Sequence, residues 1–396
     1  MNFDWSPEQE TLFSRTLAFA RTRLNPSALA TSAAQARSAP DGARALDGND
    51  GAGPFSYAAW TLLGRFGLLG IASPQRYGGT NLDALTMARV VEALGQGCED
   101  MGVVFAACAH LFACVAPIVE HGSDELRSHV LPRLTSGEWI GANAITEASS
   151  GSDVSNLKTL AEQDGDHYIL SGTKTYVTNG PVADVFLVYA TQNPAHGFLG
   201  ISAFIVERET PGLTVGPALC TVGLHSAPIA QVYLQDCRIP ARNRLGSEGR
   251  GSAIFASSML IERSCLFAMY VGAMQRLLDR VIDHATEKRL VGQRFQAMRH
   301  RIVDMKLQIE AARLLLYRAC WEIDRGLPAT MNVALAKLAV SETVIRASLD
   351  SFELLGAAAY LCENGFEEGL RDALPGAIFS GTSAIQRELI ARELGL

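Results

Sequence analysis

The 396-residue chain has no C-x-x-C pair among its eight cysteines, which argues against a zinc ribbon or a redox dithiol. Its eight histidines show no H-E-x-x-H or similar ligand spacing, so no metal centre is indicated. It carries no long basic run and a net charge of −7, so nothing supports nucleic-acid binding. A G-x-S-x-G elbow is missing, and GSEGRG (246–251) matches neither G-x-G-x-x-G nor the P-loop pattern; it reads as a flexible turn between a strand and a helix. The first residues, MNFDWSPEQE, have neither a basic nor an apolar stretch, so no secretory signal is expected.

What remains is an ordinary globular composition, 48% hydrophobic and 19% charged, long enough for two or three domains around a large core. Most cysteines lie in apolar runs such as FAACAHLFAC, where a packed, reduced thiol and a cytoplasmic location are expected. Residues 102–119 approach membrane-spanning length, but they contain His110 and Pro117 and no second such segment follows. A buried core helix is expected there, not a membrane span.

Three zones predict an α+β protein. Residues 1–136 read as helical, opening with Ser6-Pro7-Glu8-Gln9, a capping box with Pro at N1. Residues 27–54, nearly devoid of large apolar side chains, read as a surface loop, after which the helical pattern resumes. Residues 137–242 switch to short β-rich runs (HYILSG, KTYVTN, DVFLVYA, ISAFIVER, AQVYLQD), as a β-sandwich or small barrel requires. Helices do not alternate with these strands, so the fold is not a doubly wound nucleotide fold. Residues 243–396 are helical again: Ile302, Met305, Ile309, Ala312, Leu316, Ala319 and Ile323 form one apolar stripe, implying a helical bundle.

Near the end stands AIFSGTSAIQ (377–386), a hydroxyl-rich turn entering a helix, with Ser383 and Gln386 at capping-box spacing. Free N–H groups at such a helix start suit a phosphate or a polarised carbonyl. The turn itself offers no acid or base.

Two further segments are informative: ITEASSGSDVSNLKT (145–159) and SGTKTYVTNG (171–180) bring hydroxyl and amide donors to two sheet ends. Together with PQRYGG (74–79), DCRIP (236–240), FQAMRHRIVDM (295–305) and LRDALPGAIFSGTSAIQRELIARE (370–393), they run in an order and spacing by which the chain resembles the acyl-CoA dehydrogenase family. The resemblance implies an N-terminal helical domain, a middle β-domain and a C-terminal four-helix bundle around FAD. Carried over by position, Ala144, Ile145 and Thr146 would face the flavin pyrimidine edge. Thr178 would reach flavin N5, Tyr176 would pack beside the ring, and Ser152 would lie where flavin and thioester arm meet. Gly381 and Thr382 would touch the ribityl–pyrophosphate region, with Lys288 (or Arg289) and Gln296 on the FAD side of a neighbouring subunit. A homotetramer, or at least a dimer, is therefore implied.

The implied chemistry is α,β-dehydrogenation of an acyl thioester: a carboxylate takes the α-proton, the β-hydrogen leaves as hydride, and the backbone N–H of residue 380 polarises the carbonyl. Most members of the family carry the base as Glu before the Gly-Thr of the turn; here that position is Ser380, whose hydroxyl stays neutral near pH 7. A branch that includes isovaleryl-CoA dehydrogenase places it instead in an E-R pair on an earlier helix. MLIERSCLFAMYVGAMQ supplies Glu262 and Arg263, with Gln275 at the matching offset. Glu262 is the expected base, since burial among Met259–Ile261 and Cys265–Phe267 would raise its pKa toward neutrality. Arg263 and Ser380 are expected on the substrate side.

Departures occur at KRLVG (288–292) and ELLGAAA (353–359), where the family pattern differs, so altered adenosine-side contacts to FAD are expected. The expected carrier of the acyl group is CoA or an acyl or peptidyl carrier protein in a biosynthetic pathway, with Arg238, Arg242 and Arg244 as candidates for a basic rim facing an acidic carrier. A flavin monooxygenase of the same fold, which needs no α-proton base, and a subunit without cofactor are the alternatives.

Overall fold

The computed structural model describes residues 4–25, 55–288 and 296–396. The loop expected over 27–54 and the segment containing Arg289 and Phe295 lie almost wholly outside the described residues.

Helix α1 (Pro7–Arg23) starts as the sequence predicts: Gln9 N–H donates to Ser6 Oγ (3.2 Å) and the Gln9 side chain accepts from Ser6 N–H (3.0 Å). It is followed by α2 (Tyr57–Phe66) and α3 (Ala84–Gly97). The next helix, α4 (Met101–Cys108), passes into a π-helical stretch, Ala109–Val115, and continues over Ala116–His121. Asp83 and Asp100 cap α3 and α4 by accepting from first-turn N–H groups. Helix α5 (Asp124–Ser136) leads into the sheet.

The strands are β1 (Gly141–Ala144), β2 (Leu160–Asp164), β3 (His167–Thr178), β4 (Val185–Thr191), β5 (Ile201–Glu207), β6 (Leu213–Val215), β7 (Ile229–Pro240) and β8 (Arg244–Leu245). They form one hydrogen-bonded sheet in the order β6-β7-β3-β2-β4-β5-β8, with β1 parallel to β4. HYILSG and KTYVTN are two halves of the single strand β3. Its pairing with β7 shifts register twice, between Leu170 and Gly172 and between Lys174 and Val177. Strand β4 is buried on both faces. Val185, Leu187 and Tyr189 pack toward the helices, whereas Phe186, Val188 and Ala190 join a core made by the sheet alone. Two strands separate β3 from β5, yet the rings of Tyr168 and Phe204 lie 5.0 Å apart. A flat sheet would hold those strands about 14 Å apart, so the sheet curls around its own core.

The C-terminal part begins with α6 (Gly251–Ile261), which passes through a π-helical stretch, Glu262–Leu266, into α7 (Ala268–Glu287). It continues with α8 (Gln296–Asp324), α9 (Thr330–Leu355), α10 (Phe366–Ala373) and α11 (Ser383–Glu393). Met305, Ile309, Ala312, Leu316 and Ala319 of the predicted α8 stripe are buried, and Ile302 and Ile323 pack at its ends. One hydrophobic core joins these helices to α1–α4. Helices α3 and α7 touch backbone to backbone: a Cβ on Gly95 would stand 2.1 Å from Met269 O, and one on Gly272 2.0 Å from Glu92 O.

Among the described residues two helical stretches, Met101–His121 and, against the expectation that no second one follows, Gly251–Glu287, are long and apolar enough to cross a membrane. In their most apolar windows 83% and 67% of the residues are buried inside the protein, so they serve as core helices.

Candidate active site

The two π-helical stretches pack against each other, and beside them opens a cavity of about 730 Å³. A π-turn widens a helix locally and is common where side chains must be aimed at a ligand. Helix α4 and its π-stretch supply Phe105, Ala109 and Ala113 to the wall, and α6 and its π-stretch supply one face between Phe255 and Leu266, including Met259, Glu262 and Arg263. The loop after β1, the end of β3 and the turn before α11 close the remainder. Most of the lining is apolar; the Phe379 ring packs at a tilt against Phe105 and Phe267, with centroids 4.6 and 5.2 Å away.

Of the predicted site residues, Ile145, Thr146, Ser152, Tyr176, Thr178, Glu262, Arg263, Ser380, Gly381 and Thr382 all line this one cavity. Ala144 does not; it is fully buried in β1 opposite Val188. Lys288 and Gln296, at the end of α7 and the start of α8, are exposed and absent from the cavity wall. Arg238, Arg242 and Arg244 are likewise absent from the wall. Each already has a carboxylate partner, Asp164, Glu125 (3.4 Å) and Glu248 (3.4 Å) respectively.

Glu262 is the sole carboxylate among the lining residues. It is 8% exposed. One oxygen, Oε1, accepts a hydrogen bond from Ser380 Oγ, and the other, Oε2, is buried without a hydrogen-bond partner among the described residues. Burial pushes this carboxyl above the ordinary carboxylate range, against the lowering pull of the Ser380 hydroxyl and the Arg263 charge. An unfilled acceptor on a buried acid costs stability, and a structure keeps one where a ligand or a proton will use it.

The turn opposite Glu262 is held rigidly. Ser380 and Gly381 both have positive φ, 54° and 86°. The Ser380 carbonyl accepts from Arg263 Nε (2.8 Å), and the buried Gln386 amide donates to Gly381 O at 3.0 Å. Beneath it, Lys337, fully buried, donates to Gly376 O at 2.9 Å. The Ser380 N–H makes no hydrogen bond among the described residues. Here the expected capping box is corrected. Because residues 380 and 381 complete the turn, Thr382 takes the extended cap conformation and accepts from Ile385 N–H, leaving Ser383 as the first helical residue. Gln386 points back to the turn's carbonyls, not to a cap N–H.

Across the cavity, a buried ion pair that the sequence analysis did not single out shapes the wall. Glu147 Oε1 meets Lys174 Nζ at 2.7 Å. Glu147 also accepts from Thr159 N–H (2.9 Å), Thr159 Oγ1 (2.6 Å) and Lys158 N–H (2.6 Å), and Lys174 donates to Ile145 O at 3.1 Å. This clamps the loop bearing Ile145, Thr146 and Ser152 onto β3. Two residues on, Tyr176 sits in the second register shift with φ 55°, and its ring is thrown outward, 65% exposed. Both charges stand inside the quoted motifs, which hold two acids, Glu147 and Asp153, and two lysines, Lys158 and Lys174, so the sequence did not show which of them pair. Asn143, also missed, lines the cavity with a buried Oδ1 that has no hydrogen-bond partner among the described residues.

These features fit a flavin. A cavity of this size with apolar walls, a polar rim of Thr146, Ser152 and Thr178, an outward-facing ring and an orphaned acceptor at Asn143 suits a planar, polar-edged ring system. Ile145, Thr146, Ser152, Tyr176, Thr178, Gly381 and Thr382 would hold it, and FAD, when bound, supplies a hydride acceptor.

Family models describe the whole chain: the acyl-CoA dehydrogenase N-terminal domain matches residues 6–138, the middle domain 142–237 and the C-terminal domain 249–395. An L-prolyl-[peptidyl-carrier protein] dehydrogenase of Pseudomonas fluorescens is 49% identical over 353 residues, 88% of this chain and 93% of its own. Among solved structures, PigA with FAD and proline superposes with a TM-score of 0.91 at 39% identity over the full length of both chains. The prolyl acyl carrier protein oxidase AnaB gives 0.90 at 37%, covering 99% of this chain and all of that one. With a buried carboxylate facing a flavin-shaped cavity, and matches running end to end, the chain belongs to the acyl-CoA dehydrogenase family and is an FAD-dependent dehydrogenase of acyl thioesters.

Proposed function

We propose that the protein oxidises an L-prolyl group carried as a thioester on a peptidyl carrier protein, with Glu262 as the base. The observation that carries the catalytic part is that the cavity holds a single carboxylate, buried, with one oxygen anchored by Ser380 and the other unpartnered. Oε2 takes the α-proton while the β-hydrogen leaves as hydride, so a Cα–Cβ double bond forms. The Ser380 N–H, uncommitted among the described residues, donates to the thioester oxygen as negative charge gathers there. Arg263 holds the Ser380 carbonyl and so anchors the turn that carries this N–H. The prolyl and carrier parts are supported by the relatives' names.

The test is anaerobic titration of the FAD-loaded protein with an L-prolyl-loaded peptidyl carrier protein and with a panel of acyl-CoA thioesters, following flavin absorbance. Bleaching by the carrier substrate alone is expected. Bleaching by acyl-CoAs and not by the carrier thioester would refute the substrate assignment, and full bleaching of Glu262→Gln would refute the base.

The protein is further proposed to be a cytoplasmic homo-oligomer, a dimer or tetramer. The cysteines of the described residues are all free thiols, and α8 leaves Val303, Leu307 and Leu314 exposed on one apolar stripe. In such an assembly Lys288 and Gln296, far from their own chain's cavity wall, would serve the adenosine end of a neighbour's FAD.

A further inference from the structure

The cavity's lining reaches solvent at several places: at Tyr176, Thr330 and Ile378, and also at a mouth formed by Gly151 and Ser152 on the loop after β1 with Ala256 on α6. From Ala256, helix α6 runs outward toward its start. Ser252, one turn nearer the start on the same face, donates from Oγ to Phe198 O at 2.7 Å. That bond ties to the mouth a strap between β4 and β5, Pro194–Gly200. At the kink of Gly197 (φ 51°) the strap turns Phe198 and Leu199 into solvent, 59% and 65% exposed. It carries His196 and no acidic residue. Beside it stands Arg250, exposed and without an ion-pair partner among the described residues, in contrast to Arg238, Arg242 and Arg244. The acids nearby are Glu248, turned to Arg244 and the Tyr168 hydroxyl, and Asp153, engaged by Ser155 and Asn156.

We propose that Phe198, Leu199 and Arg250 form the docking surface for the carrier domain that delivers the thioester. This rests on the carrier-protein reading above. From Ser252 to Glu262 the helix advances ten residues, about 15 Å, a distance that an extended phosphopantetheine arm spans. A carrier seated on the strap therefore places its thioester at the base without entering the cavity itself. The chemistry of the patch suits such a partner. Two adjacent exposed apolar side chains meet an apolar helix face, and an uncommitted guanidinium meets the acidic surface around the arm's attachment point and its phosphodiester. A free CoA thioester would need the cation and would leave the Phe-Leu pair in water.

The FAD-loaded enzyme and two variants, Phe198→Ser/Leu199→Ser and Arg250→Glu, are compared on an L-prolyl-loaded peptidyl carrier protein and on L-prolyl-pantetheine, the same thioester with no protein behind it. Expected is a fall of kcat/KM by at least about tenfold on the carrier substrate, carried by KM, in each variant. Turnover of the pantetheine thioester should stay within about twofold of the original enzyme. Added salt should weaken the carrier reaction of the original enzyme and leave that of Arg250→Glu nearly unchanged. An undiminished carrier reaction overturns the surface, and so does an equal loss on both substrates, which marks the strap as structural. If the unaltered enzyme oxidises prolyl-pantetheine but not the carrier thioester, or only acyl-CoAs, the carrier reading fails and the surface with it. Normal carrier turnover by the variants sinks the surface alone.

Discussion

Glu262 lines the cavity and Glu147 stands behind the loop that closes it; they are about equally buried, 8% and 4% exposed, yet their surroundings treat them in opposite ways. Burial alone would raise both. For Glu147, the Lys174 charge and the hydrogen bonds from Lys174, Thr159 and Lys158 outweigh it, and the carboxyl is held below the ordinary range. For Glu262, one hydroxyl and one neighbouring guanidinium do not suffice, and the carboxyl is pushed up. Burial thus does not by itself make a carboxylate a base. What separates structural glue from a proton acceptor is whether the donors around it fill its acceptor sites.

The strongest way to break this comparison is to neutralise each carboxylate or its partner. Glu262→Gln should lower single-turnover flavin reduction by about 10³-fold or more while the protein keeps its flavin absorbance, as expected for loss of a general base. Normal reduction would show that the proton leaves elsewhere. Lys174→Met leaves Glu147 buried beside no cation, and breaking such a pair typically costs about 3–5 kcal/mol. A clear drop in Tm with loss of FAD is expected, and an unchanged melting curve would deny the clamp its role. Burial brings the Lys174 ammonium down to about 8, so this clamp should also loosen at alkaline pH, read as FAD release above that value.

Ser380→Ala tests the anchor on Glu262. The serine hydroxyl lowers the pKa of the base, so its removal should move the acidic limb of the kcat profile to higher pH while the plateau changes little. Ser380→Thr, which keeps the hydroxyl, should restore the limb. A uniform loss at every pH would assign Ser380 to shaping the turn instead.

The smallest effect concerns stability. The folded pKa of Glu262 lies above its ordinary value of 4.5, so the folded state holds this proton more tightly than the unfolded chain does. Relative to Glu262→Gln, the native protein should lose stability as pH rises from the ordinary value through the raised one, and then level off. Glu147→Gln should show the opposite sign: the native protein's advantage is present above 4.5 and disappears as pH falls through the depressed pKa. Tm measured against pH for both variants decides the matter.

Much of the site was legible before any coordinates. Glu262 was legible through the E-R pair that the resemblance supplied, its apolar neighbours agreeing with a buried acid, and the donors of 145–159 and 171–180 stood in recognisable motifs. The capping box at Ser6 formed as written, because every residue it needs lies within four positions. The one proposed at Ser383 did not. Cap choice there depends on the left-handed turn at Ser380 and Gly381, whose carbonyls Arg263 and Gln386 hold from elsewhere on the helices. Of the candidate rim arginines, Arg238 and Arg242 pair with Asp164 and Glu125 from distant segments that the sequence does not bring together, whereas Glu248, the partner of Arg244, stands only four positions on.

Sequence by itself determined the helical stripes, the strand pattern and the kind of acid available, because these follow from residue type and short-range spacing. Tertiary structure alone decided which oxygen of Glu262 stays unpartnered, that Ser380 reaches it from 118 positions away, and that Glu147 is quenched by Lys174. Those outcomes depend on the desolvation and donor geometry that arise only when distant segments pack together, and a charge acquires its pKa from that packing.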